Sequence, residues 1–142
     1  MIMNENYKIL GKYIKDMSSE TPDIETFMFV KDNISKYQLK IDINSKAVKN
    51  KLIEINTTLK FEDKNENIKK SFFEIVFATI VRVADEIKEK KDLERIILCD
   101  VQKDIYPDLE TSFLNLLHNS GYPGVKFEKK IDFEKLYNQK FN

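Results

Sequence analysis

Apolar and polar residues alternate through the first half of the chain and recur at helical spacing through the second. Tyr7, Ile9 and Tyr13 alternate with Lys8 and Lys12 up to a stop at Thr21-Pro22-Asp23. Leu39, Ile41 and Ile43 fall opposite Lys40, Asp42 and Asn44. Over residues 52–61, Ile53, Ile55, Thr57, Leu59 and Phe61 fall opposite Glu54, Asn56, Thr58 and Lys60. Period two is the mark of strands solvated on one face. The charged stretch 62–67 predicts a flexible hairpin connection into a fourth strand, 71–83, with Phe73, Ile75, Phe77, Thr79, Val81 and Val83 facing inward. Its other face carries Phe72, Val76, Ala78 and Ile80, broken by Glu74 and Arg82. A strand apolar on both faces calls for cover on both, by the chain's own helices and by a second subunit. The alternative is a central strand that tolerates a few exposed apolar residues. Residues 23–36, which include Phe27 and Phe29, read as irregular.

Beyond Asp85 the period becomes 3.6: Ile87, Leu93, Ile96, Ile97 and Val101 share one side, and Ile105, Leu109, Phe113, Leu116 and Leu117 continue the stripe. Pro107 removes a backbone donor, which predicts a kink or a fresh helix start at Asp104. Ser120-Gly121-Tyr122-Pro123-Gly124 ends that helix, residues 125–130 form an extended connector, and Asp132 caps a last helix whose Phe133, Leu136, Tyr137 and Phe141 share a face. The fold class is α+β: a four-stranded antiparallel sheet with helices on one face, in a single domain spanning 1–142.

Composition narrows the function more than it directs it. With 24 basic and 24 acidic residues in 142, the formal net charge is zero and no arginine cluster marks a nucleic-acid binder. The start lacks a signal peptide, and no run is long and apolar enough to span a membrane, so a cytoplasmic location is expected. One Cys (Cys99) and one His (His118) cannot form a disulfide or a multi-His or multi-Cys metal site within a chain. Cys99, inside Ile96-Ile97-Leu98-Cys99, reads as a buried thiol, and His118 as a cap or surface residue. With no glycine-rich phosphate loop and no acid–base pair set apart from the charge-mixed stretches, neither an enzyme nor a cofactor is expected. What stands out is ten Phe and six Tyr, several outside the alternation: Tyr106, Tyr122 and Phe127 flank the helix connections. Such a surplus either caps the core or lines a groove for apolar segments of another molecule.

Several segments in order resemble the SecB family of protein-export chaperones. Tyr13-Ile14-Lys15-Asp16-Met17-Ser18-Ser19-Glu20-Thr21-Pro22 is similar to that family's first strand, Leu39-Lys40-Ile41-Asp42-Ile43 to its second and Phe72-Phe73-Glu74-Ile75 to its fourth. Ile105-Tyr106-Pro107, followed by Tyr122-Pro123, keeps the family's spacing between two aromatic-proline pairs, and Asp132-Phe133-Glu134-Lys135-Leu136-Tyr137 is similar to its terminal helix. The resemblance implies an ATP-independent holdase that keeps export precursors unfolded and delivers them to the SecA motor, assembled as a dimer of dimers (a homotetramer). Motor contact in the family maps here onto Asp16, Glu20, Phe72 and Glu74. The substrate groove maps onto Leu39, Ile41 and Ile43, with Tyr106, Phe133 and Leu136 beside them. For these six, core packing is an equal alternative.

The chain departs from the family in its neutral charge, in the Asp108-Leu109-Glu110 that follows Pro107, in having no Trp before the second strand, and in ending at Asn142 without an acidic tail. A SecB-like chaperone of a toxin–antitoxin system, a small apolar-ligand carrier and a purely structural interaction module are the competing readings.

Overall fold

The computed structural model describes residues 6–65 and 69–141, the side chains of the last two excepted. Asn67, the end of the expected hairpin connection, lies outside the described residues. The strands are β1 (Tyr7–Glu20), β2 (Gln38–Val48), β3 (Leu52–Glu62) and β4 (Phe72–Val83), all antiparallel in the order β1-β4-β3-β2. β4 is central and fits its two-sided apolar pattern. Phe73, Ile75, Phe77, Thr79 and Val81 are buried beneath the helices, and on the opposite face Ala78 is also fully buried.

β1 departs from strict alternation. Register shifts between Ile9 and Gly11 and between Ile14 and Asp16 mark two bulges, each of which moves the following side chains to the other face. Tyr13, expected beside Tyr7 and Ile9, therefore stands opposite Ala78 on the helix-free face, while Ile14 stands opposite Phe77.

Residues 23–36 are not irregular. α1 (Ile24–Asn33) begins where the Asp23 carboxylate accepts a 2.8 Å hydrogen bond from the Thr26 amide, and a 3-10 turn, Ile34–Lys36, leads into β2. That bond satisfies one orphan donor of the first turn and holds the Asp23 carboxyl below the usual carboxylate range. Thr26 and Val30 are buried, whereas Ile24, Met28 and Phe29 face solvent.

The long helical segment also corrects an expectation. No new helix begins at Asp104: α2 (Lys90–Arg95), a π-helical turn (Ile96–Asp100) and α3 (Val101–Asn119) follow one another without a break, with Pro107 inside α3. The irregularity lies about two to three turns before the proline. There Gln102, wholly buried, accepts a 3.0 Å bond from the Thr57 hydroxyl and donates a 3.2 Å bond to the Ile97 carbonyl, fastening the π-turn to β3. Gln102→Ala leaves the Thr57 hydroxyl buried without a partner, and a loss of about 1–3 kcal/mol is expected in urea unfolding.

α3 lies over β1 and β4. Its Asp104 accepts from the Tyr7 hydroxyl, Asp108 pairs with Lys12 at 3.0 Å, and Ser120 meets Ser19 at 2.7 Å. The helix closes as expected around Gly121, at φ +110°. The Tyr122 amide reaches back to the Leu117 carbonyl and the Gly121 amide to that of His118, a Schellman ending. Asp132 accepts from the Lys135 amide and caps α4 (Phe133–Phe141).

One carboxylate adds an electrostatic tie to the apolar docking of α4. Glu134 Oε1 sits 2.8 Å from Arg95 and 2.9 Å from Lys103, which keeps its carboxyl below the usual range. Because the folded value is lowered, the pair stabilises the docked helix fully above the unfolded pKa of about 4.3 and loses that effect as pH falls through the lower native value. Glu134→Gln is expected to speed amide exchange in α4 at neutral pH, with wild type and variant converging in acid.

Candidate binding cleft and outer sheet face

Three segments surround an open cleft. The turn into β2 supplies Ile34 and Tyr37, the start of β2 and the end of β3 supply Leu39 and Phe61, and the connector between α3 and α4 supplies Val125, Phe127 and Ile131. The space is about 990 Å³, at the upper end of small-ligand pockets. Aromatic rings hold the connector in place. Phe127 meets Phe61 at 5.7 Å and Phe113 at 6.1 Å, and Tyr37 lies 5.3 Å from Phe61. His118 Nε2 donates to the Val125 carbonyl at 2.9 Å, so the histidine ties the end of α3 to this strap.

Of the residues expected in a groove, Leu39 stands in the cleft wall. Ile41 and Ile43 lie further along the same face of β2, paired with Leu59 and Thr57 and half-buried against the core. Tyr106 and Phe133 are buried and meet edge-on at 5.4 Å, joining α3 to α4. Burial pushes the Tyr106 hydroxyl pKa up. Leu136 is half-buried against the same core. The pattern missed Phe61 and Val125 as wall residues because both also read as ordinary core. Phe127 had a signal, as an aromatic outside the alternation.

The second surface is the helix-free face. Cross-strand partners share a face, and the register sets Asp16 opposite Val76, Ser18 opposite Glu74 and Glu20 opposite Phe72. Asp16, Glu20, Phe72 and Glu74 are thereby brought together at one end of β1 and β4. Phe72 is 43% exposed, and Glu74 reaches Lys60 at 3.5 Å. Along β1, an edge strand, Tyr13 is 44% exposed on this face, whereas Ile14 and Met17, opposite Phe77 and Ile75, are exposed on the other face.

Neither surface carries a reactive group. Cys99 is fully buried, and desolvation raises its thiol pKa, which disfavours the nucleophilic thiolate. Among the described residues no group of three His, Cys, Asp or Glu side chains is arranged to hold a metal ion. No described helix is long and apolar enough to cross a membrane.

Fold and site together are those of an α+β protein with an open, largely apolar cleft beside its sheet. Residues 3–142 match the family model described as preprotein translocase subunit SecB. A putative protein-export protein SecB from Pelagibacter ubique is 64% identical over 99% of this chain and 100% of its own length. A protein-export protein SecB from Parvibaculum lavamentivorans is 23% identical, over 94% and 77%. The chain belongs to the SecB family and is a chaperone of protein export. Its fold is similar to that of a SecB-like chaperone from Mycobacterium tuberculosis, solved with a peptide from an antitoxin. There the TM-score is 0.62 at 10% identity, over 88% of this chain and 91% of that one.

Proposed function

We propose that the chain holds unfolded precursor polypeptides in the cleft between β2, β3 and the connector, without ATP, in the cytoplasm, and passes them to a SecA-type motor. The observation that carries this reading is an open cleft walled by aromatic and aliphatic side chains in a chain of the export-chaperone family. A chaperone of many clients needs broad apolar area more than a hydrogen-bond code, with affinity accumulated over several weak sites.

The test is suppression of aggregation of a denatured protein in the absence of nucleotide. Wild type is expected to suppress it near stoichiometry, and no effect at molar excess refutes the reading. Leu39→Asp removes one apolar anchor from the wall and is expected to weaken client binding about tenfold or more.

The outer-face group of Asp16, Glu20, Phe72 and Glu74 is the proposed motor contact. Phe72→Ala combined with Glu74→Lys is expected to weaken binding of the motor and leave aggregation suppression unchanged. The exposed apolar residues of the outer sheet face, Tyr13 on β1 and Phe72 on β4, support assembly into a dimer or a homotetramer, and mass in solution measures it.

A further inference from the structure

The cleft has a charged rim of one predominant sign. Along the connector Val125, Phe127 and Ile131 turn inward, while Lys126, Glu128, Lys129 and Lys130 line the opening and are exposed. Among the described residues none of the three lysines has an ion-pair partner. The β2 side does not balance them. Its lining residues there, Ser35 and Gln38, are neutral, and Lys40 nearby is already paired with Glu62 at 2.7 Å. A chain whose formal charge is zero thus concentrates an excess of two positive charges at the mouth of its apolar cleft.

From this arrangement we propose that the cleft selects polypeptide segments in which apolar residues are flanked by carboxylates. The proposal rests on the holding function above and names the client chemistry of that same site. The apolar wall takes the side chains, and the lysines lie within a Debye length of the flanking residues, where unlike charges favour encounter and like charges discriminate against the wrong segment. The lysines are mobile and solvated, so the selectivity is modest and salt-dependent.

Three fluorescent peptides with one shared apolar core and acidic, amide or lysine flanks test it by anisotropy with the full chain. The acidic peptide is expected to bind on the order of three- to tenfold more tightly than the lysine-flanked one at low salt. The difference is expected to shrink at about 0.5 M salt and to vanish when Lys126, Lys129 and Lys130 are all replaced by serine. Equal affinities in wild type, with Leu39→Asp weakening all three peptides alike, overturn the charge selection and leave the holding function standing. Binding of none of the three overturns both. Oleate binding that the triple serine replacement abolishes, without any preference among the peptides, makes the occupant an anionic amphiphile and overturns the proposal as well.

Discussion

Phe73→Ala is expected to cost about 3–5 kcal/mol, enough to unfold much of the population of a domain of ordinary stability. Phe73 is 1% exposed on the central strand and stands where three aromatic groups converge. Tyr122 at 5.6 Å and Tyr37 at 6.2 Å lie edge-on to it, and Phe61 is tilted at 6.4 Å. Truncation removes the apolar area of the ring, forfeits these edge contacts and leaves a space that strands on both sides cannot close, because each is fixed by its ladder. Tyr37 and Phe61 also form the cleft wall, so client binding is expected to fall along with stability. Urea unfolding measures the first effect. Peptide binding measured where the variant remains folded gives the second.

Gly121→Ala is expected to cost about 2–4 kcal/mol, from two separable sources. At φ +110° any side chain is strained, and an added Cβ meets Phe27 Cε1 at 2.5 Å. Phe27 comes from α1 and packs on Tyr122 at 5.5 Å, so the clash lies at the junction of α1 with the end of α3. Phe27→Leu in the same chain is expected to restore part of the loss, leaving the backbone strain. A double-mutant cycle in urea isolates the steric share as the coupling between the two positions. Coupling near zero contradicts the proposed clash.

The sheet was readable from the sequence because alternation runs through β3 and through β2 as far as Ile43, while β4 is marked as a central strand by apolar residues on both faces. β1 obeyed alternation only as far as Ile9. A bulge inserts a residue with no change in composition, so nothing in the letters moved Tyr13 to the other face. α1 was missed because Ile24, Phe27, Met28, Phe29 and Val30 are spread around the helix rather than gathered on one stripe. Its only local sign was Asp23 placed to cap Thr26. Of the kink or fresh helix start that Pro107 predicted, the fresh start does not form: α3 absorbs the missing donor without ending, and the π-turn, held by Gln102, has no comparable signature in the sequence.

The four outer-face positions came from resemblance rather than periodicity, and the register places them side by side. The cleft was half legible. Leu39 came from the resemblance, with alternation giving only its face of β2, and the wall opposite is an extended connector whose inward residues become apparent only when the strap is laid across Phe61 and Phe113.

The strand order sets a schedule for biosynthesis. β2, β3 and β4 are neighbours in sequence and can zip together as they leave the ribosome, but β1 pairs only with β4, two strands and a helix later. Contacts of such sequence separation close slowly. Until then Leu10, Tyr13, Ile14 and Met17 belong to a nascent strand with no neighbour, so this guardian of unfinished proteins passes through the same hazard during its own synthesis.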